Sequence, residues 1–332
     1  MINSHGLAKW AIENGGSIHP LIIDHALTGG TGLANPTILV EDDRIIVNVR
    51  HLNYTLHHSE RSKYNHHYGP LQYLHPENDH TLRTNNFVMI MNHDFEVQQC
   101  HKVDTSRFDQ TPLWLFIGLE DARLMHWDNR YFLCGVRRDT TTEGQGRMEL
   151  SEIEITPDGV TEVSRFRIPT PGPDTAYCEK NWMPVLDQDY TFVKWCNPTE
   201  VVRTDPVAKT CTTVHLDEST FKTTSHAFRG SSQVFEYKDH FWALIHESDL
   251  YNDYHGRKNA TYRHRFLKWD KQWNLLEISE KFSFMRGEIE FSAGAALFGD
   301  DLLITFGWQD NSAYMLRMPL HIMESITNIP WN

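Results

Sequence analysis

Cysteine is scarce in this chain. Five residues of 332 are cysteine (Cys100, Cys134, Cys178, Cys196, Cys211), and none stands in C-x-x-C spacing. An odd number without that spacing excludes a zinc ribbon or thioredoxin-type motif and points to reduced, buried thiols. No apolar run reaches 18 residues, so no membrane-spanning helix is expected. The opening residues Met1-Ile2-Asn3-Ser4-His5 lack a basic and an apolar region, so no signal peptide is expected and the cytoplasm is the expected location. A basic excess is also missing. Lys and Arg number 31 against 44 Asp and Glu, a net charge of -13, which argues against general affinity for nucleic-acid backbones or anionic membranes. It leaves room for a local basic pocket. There is no Walker loop, and Gly29-Gly30-Thr31-Gly32 is too short a signal for a dinucleotide fold. Helical periodicity is confined to residues 5–14, with Leu7, Trp10 and Ala11 in step, and to Pro319–Ile326.

What remains is short strands and polar turns, and one pattern recurs five times: apolar strand, polar turn, apolar strand. The copies fall near residues 36–50, 120–138, 180–197, 230–247 and 290–308. Their turns, at Asp43, Asn129, Gln188, Asp239 and Asp300, step by 86, 59, 51 and 61 residues. A hairpin repeat of this period predicts an all-β chain, a five-bladed β-propeller with short terminal helices, forming one domain over residues 1–332.

A hairpin brings the start of its first strand and the end of its second to one end. Applied five times, this gathers unusual residues at one mouth. Strand starts bring Asn35, then Glu120, Asp121 and Arg123, then Glu179, Lys180 and Asn181, then Arg229, then Glu290 and Phe291. Strand ends bring Arg50, Asn53 and Tyr54, then Arg137, Arg138 and Asp139, then His246 and Glu247, then Trp308 and Asp310. The opposite ends hold ordinary Asp/Asn/Lys turns. A purely structural repeat has no need of that asymmetry. Carboxylates beside aromatic faces such as Tyr54, Trp182 and Phe291 suit sugar rings, and cations among them suit a phosphate.

Several residues also have plain structural readings. Asp121 and Arg123 alternate to the same strand face and can form an ion pair. Of Arg137 and Arg138, alternation lets at most one face the mouth. Lys180 can pair with Glu179. Asp187-Gln188-Asp189 matches a metal-binding D-x-D pattern but lies in a turn at the wrong end, so a solvated turn is expected. The connection 53–85 carries His57, His58, His66, His67, His75 and His80 without a tight metal-ligand pattern, and is read as a lid or substrate wall. No metal and no cofactor are expected.

The stretch Gly118-Leu119-Glu120-Asp121-Ala122-Arg123 resembles the G-x-E-D-P-R motif of the inverting β-mannoside phosphorylases, glycoside hydrolase family 130, which are five-bladed propellers. Glu179-Lys180-Asn181 is similar to that family's phosphate-binding lysine motif, His246 to its H-G-V, and Gly307-Trp308-Gln309-Asp310 to its Y-G-x-x-D. The first hairpin carries no such motif. The resemblance implies Asp121 as the proton-transferring carboxylate. It implies Lys180, His246 and an arginine on phosphate. Two departures stand out: Ala122 replaces the proline, and Glu247 follows His246. Arg229-Gly230-Ser231-Ser232-Gln233, Tyr262-Arg263-His264-Arg265-Phe266 and Glu288–Gly294 look instead like a related branch of glycosyltransferases on the same propeller.

The expected function is therefore an inverting glycosyltransferase. It would use an activated sugar donor, a nucleotide sugar or sugar phosphate, and a saccharide or other hydroxyl acceptor. The alternatives are a β-mannoside phosphorylase or hydrolase and a non-catalytic carbohydrate-binding propeller. A nucleic-acid acceptor is disfavoured by the acidic charge. Substrate contacts are expected from Glu120, Arg123, Asn53, Tyr54, Asn181, Trp182, Glu247, Glu290, Phe291 and Asp310. Phosphate or nucleotide contacts are expected from Arg138, Lys180, Arg229, His246 and Arg263.

Overall fold

A computed structural model describes residues 6–29, 32–56, 71, 73–74, 78–172, 174–217 and 228–327. The chain is almost entirely β. Among the described residues, helix is limited to Leu7–Glu13, the single turn His25–Thr28 and Leu320–Thr327, close to the two short helices expected. None is long and apolar enough to cross a membrane. Of the histidine-rich connection, residues 57–70, 72 and 75–77 lie outside the described residues.

The strands run as successive antiparallel units. The first is Leu33–Val40, Ile45–Leu52, Leu82–Met91 and Val97–Asp104, and the second is Glu120–Trp127, Arg130–Arg137, Arg147–Thr156 and Gly159–Arg167. A short parallel contact, Val160 with Val103 and Thr161 with Asp104, joins these two. Met183–Pro184, Thr191–Cys196, Thr199–Asp205 and Thr210–Leu216 form the third. The fourth is built on the long pair His240–Asn252 and Lys258–Trp269. The fifth combines Glu290–Phe298, Asp301–Trp308 and Ser312–Pro319 with Ser17–Leu21 from the other end of the chain. All five expected hairpins are present. Their turns obey local chemistry: Asp128-Asn129 and Lys238-Asp239 take φ of 49° and 57°, and 48° and 58°. Asp and Asn tolerate that left-handed backbone and give the twist a two-residue hairpin needs.

Apolar clusters fill the gaps between neighbours. Ile46 and Val88 of the first unit meet Leu124 and Leu133 of the second. Trp127 and Phe132 meet Trp182 and Phe192 of the third. Val193 and Val201 meet Phe241 and Trp269 of the fourth. Leu244 and Phe266 meet Ile304 and Phe306 of the fifth. Leu303 and Met315 return to Val47 and Met89 of the first. The packing order closes on itself. At its centre the buried Gln233 amide nitrogen lies 2.8 Å from Thr37 Oγ1, 2.9 Å from the Ile38 carbonyl and 2.8 Å from the Leu124 carbonyl. Its Oε1 accepts the Ala295 N–H.

Candidate active site

The site begins with a backbone feature. Near the start of three of the first strands stands a polar residue in the left-handed region: Asn35 at φ 44°, Asp121 at 51° and Asn181 at 65°. In the second hairpin the register shifts between Cys134 and Val136, opposite Asp121. This bulge breaks the alternation expected of Glu120, Asp121 and Arg123. Glu120 and Asp121, neighbours in sequence, both line one pocket. Arg123 turns instead into the core, where it is 1% exposed and donates to the carbonyls of Ser231, Gly230 and Asp121. The Asp121–Arg123 side-chain pair is thus corrected to a side-chain-to-backbone bond. Gly135 permits the bulge, because a Cβ there would stand 2.3 Å from the Glu120 carbonyl oxygen.

Arg50 organises the acidic half of the pocket. It donates to Asp121 Oδ1 at 2.6 Å, to Thr84 Oγ1 at 3.0 Å and to the Tyr54 hydroxyl at 3.1 Å, and stands 3.5 Å from Glu120. Asn35 Nδ2 donates to the same Asp121 Oδ1 at 2.7 Å. Asp310 completes a group of three carboxylates. Burial raises the Glu120 carboxyl, and it raises Asp310, helped by the charges of Asp121 and Glu120 against Arg50, to about 6. Asp121 is held lower than usual: burial acts against its charge, but Arg50, Arg123 and the Asn35 bond outweigh it. Glu120 Oε1 and Asn35 Oδ1 are buried without a hydrogen bond among the described residues. Hydroxyl groups of a ligand would satisfy them.

Facing this half stand Arg138, Lys180 and Arg229. Among the described residues, no carboxylate lies within ion-pair distance of any of the three. Arg138 stacks between Phe116 and Tyr177, its carbon 5.2 and 5.6 Å from their ring centres. His246 lies beside them, with Nδ1 2.9 Å from Ser231 Oγ and its ring stacked on Tyr262. Burial, then the charges of His264, Arg123, Arg229 and Lys180, hold it well below the usual histidine range, so it is neutral. A neutral ring bonded at one nitrogen presents the other to a ligand. Phe291, Tyr262 and Tyr54 wall the pocket, which encloses about 120 Å³.

The pocket thus unites Asp121, Glu120, Tyr54, Asn181, Phe291, Asp310, Arg138, Lys180, Arg229 and His246. The other expected residues lie outside its lining. Besides Arg123, Asn53 bonds Thr81 and Arg83 backbone, and Trp182 is 1% exposed in the core with its indole N–H on Glu179. Glu247 pairs with Arg265. Glu290 accepts the backbone N–H groups of Phe284, Met285 and Gly287, and Arg263 donates to the Tyr262 and Gly287 carbonyls. Each supports the rim rather than facing it. Arg137 binds Glu149 away from the mouth, so Arg138 is the arginine of the pair that faces it. Asn35, Arg50 and Tyr262 were not singled out as site residues. The first hairpin bears no motif, but its Asn at a strand start opposite an Arg at a strand end was the available signal.

No protein-family model matches the chain, and no curated protein matches it. Solved structures do. A β-1,2-mannobiose phosphorylase of Listeria innocua superposes with a TM-score of 0.56 at 12% identity, covering 94% of this chain and 97% of that one. A mannose phosphorylase of Leishmania mexicana, in complex with phosphate, gives 0.51 at 12% identity over 98% and 97%. A structure from the GH130 family of mannoside phosphorylases, described as containing glycoside hydrolases that target β-1,2 mannosidic linkages in Candida mannan, gives 0.57 at 11% identity over 86% and 84%. At such identity the likeness is one of fold.

Proposed function

We propose that residues 1–332 form a single five-bladed propeller, the five strand units being its blades, and that its mouth is the active site of a β-mannoside phosphorylase. One observation carries this reading. Three cations with no carboxylate partner among the described residues face three carboxylates across a pocket of about 120 Å³. The cations suit the oxygens of inorganic phosphate, and the carboxylates suit the hydroxyls of a sugar. Structures of the same fold are named as phosphorylases and as glycoside hydrolases, and the three cations of the mouth favour the first of these. The nucleotide-sugar donor expected from the sequence is therefore set second.

In this reading Arg138, Lys180, Arg229 and the His246 N–H hold phosphate, whose oxygen attacks the anomeric carbon. The glycosidic C–O bond breaks, and the leaving oxygen takes a proton delivered through Asp121. The three carboxylates around Arg50 share their titration. Asp310, which holds a proton to higher pH than an isolated aspartate, keeps one available to the group. The proton that phosphate loses on forming the ester restores it. The remaining oxygens of Glu120 and Asn35 take sugar hydroxyls.

The test is incubation with β-1,2-mannobiose and inorganic phosphate, read by ³¹P NMR. Mannose 1-phosphate should form, and Lys180→Ala or Arg229→Ala should raise KM for phosphate by roughly 10- to 100-fold, the loss of one charge-assisted contact. Turnover of GDP-mannose or a UDP-sugar without phosphate dependence would reinstate the transferase.

A further inference from the structure

Behind the strand bearing Glu120 and Asp121 lies a second cavity, of about 570 Å³. That is an ordinary volume for a small-molecule site, about 300–1,000 Å³. It sits where the first and second strand units meet, with Val103 and Thr105 on one side and Arg165 and Arg167 on the other. Ile117 and Leu119 face it, while Phe116 and Glu120 face the mouth, so one short segment separates two sites.

Its floor is ionic and buried. Glu162 is 0% and Glu149 3% exposed. Arg165 pairs with Glu162 at 2.6 Å, Arg167 with Glu149 at 2.9 Å, and Arg137 with Glu149 at 2.8 Å and Asp139 at 3.4 Å. With Arg83 and Asp109, the lining holds four arginines and four carboxylates, and its formal charge is zero. Of these, Arg137, Asp139, Glu149 and Glu162 are buried, which is costly unless their hydrogen-bonding capacity is used. Here it is not fully used. Asp139 Oδ1 is buried with no hydrogen bond among the described residues, and Arg137 Nε and Glu149 Oε2, paired at 2.8 Å, are not aligned as a hydrogen bond. A plain structural network would close these bonds internally.

We infer that this cavity binds a neutral saccharide, at a site separate from the mouth. A net anion or cation would have to break existing ion pairs to enter. A hydroxyl donates and accepts at once, so a polyol can donate to the open Asp139 oxygen and accept from the guanidinium N–H groups of the lining without disturbing the charge balance. Leu119, Leu133 and Pro112 supply apolar surface for the C–H face of a sugar ring. The inference does not depend on how the mouth reacts.

Isothermal titration calorimetry on the full chain tests it, with mannose, glucose, N-acetylglucosamine and β-1,2-mannobiose as probes. The double variant Asp121→Asn/Lys180→Ala removes binding at the mouth. At least one sugar should still bind it. Gln110→Trp, at an exposed rim position, should weaken that binding about tenfold by filling the entrance. Thr105→Trp, on the other wall, provides the same block should the first variant misfold. In the wild type, the second binding event should survive saturating phosphate. The inference fails if none of the four sugars binds the double variant, if neither tryptophan alters binding, or if phosphate displaces the sugar from this site. The first outcome would leave a cavity filled by ordered water.

Discussion

Asp121 owes its position to its backbone. A left-handed φ of 51° costs an aspartate about 1 kcal/mol, and such strain persists only where the surroundings over-determine it. Arg50 and Asn35 both hold Oδ1, and Gly135 leaves room for the bulge. Gly135→Ala places a Cβ 2.3 Å from the Glu120 carbonyl, a backbone atom that cannot move alone. The variant should lose roughly 2–3 kcal/mol of stability in urea unfolding, and most of its activity even where it stays folded. Unchanged kcat in a folded Gly135→Ala would mean that the bulge does not set the carboxylate's position. Asp310 gives a prediction with a pH sign. Its carboxyl titrates near 6 in the folded chain, above the value of about 3.9 for an unfolded aspartate. Its contribution to stability is complete below the unfolded value and lost as pH rises through about 6. Asp310→Asn should therefore raise Tm by about 2–4 °C at pH 8, relative to wild type, and not at pH 4. The wild-type kcat should fall as pH rises through about 6, and this limb should flatten in the variant. An unshifted limb would assign the proton to another group.

At the scale of the strand and hairpin, Gln233 shows how few contacts fix the centre. One side chain bonds Thr37 and Ile38 of the first unit, Leu124 of the second and Ala295 of the fifth. Gln233→Leu leaves buried carbonyls and an N–H unpaired, at about 1–3 kcal/mol for each group that water cannot reach. We expect a loss of at least roughly 3 kcal/mol in a denaturant titration, whereas a near-neutral effect would show that water replaces the amide. The same region marks what the sequence could tell. Hairpins were legible because apolar alternation and Asp-Asn or Lys-Asp turns are local signals, and the shared end of each hairpin follows from antiparallel geometry. Ten expected site residues consequently reach one pocket. Arg123 was misplaced because alternation assumes an unbroken ladder, and the bulge opposite Asp121 changes which side chains of that strand face the mouth, whereas Glu290 and Trp182 sit beside Phe291 and Asn181, which take the places facing it. Hairpin geometry brought Arg50 to the mouth but did not reveal its role. Its importance comes from Asp121, 71 residues away, and no local pattern encodes that meeting. The neutrality of the second cavity also arises from residues spread between positions 83 and 167.

For the whole molecule, closure is the governing fact. Ser17–Leu21 pairs with Ser312–Pro319, from Ser17 opposite Arg317 to Leu21 opposite Ala313, so the first and last described strands share a sheet. Leu21 is 3% exposed and packs with Val47, Met89 and Met315, the cluster where the fifth unit returns to the first. Each unit then has two packed neighbours. Leu21→Ala should cost about 2–5 kcal/mol, the usual range for deleting a buried leucine side chain. Closure fixes how that loss is distributed. In a ring, weakening one seam lowers the opening free energy of every unit, because each depends on its neighbours for burial. Amide hydrogen exchange on Leu21→Ala should show faster exchange in Thr191–Cys196, on the far side from the seam, together with Ile45–Leu52 and Asp301–Trp308. Acceleration confined to the two units at the seam would mean that the units open independently, and that the mouth they surround is assembled unit by unit rather than by the closed ring.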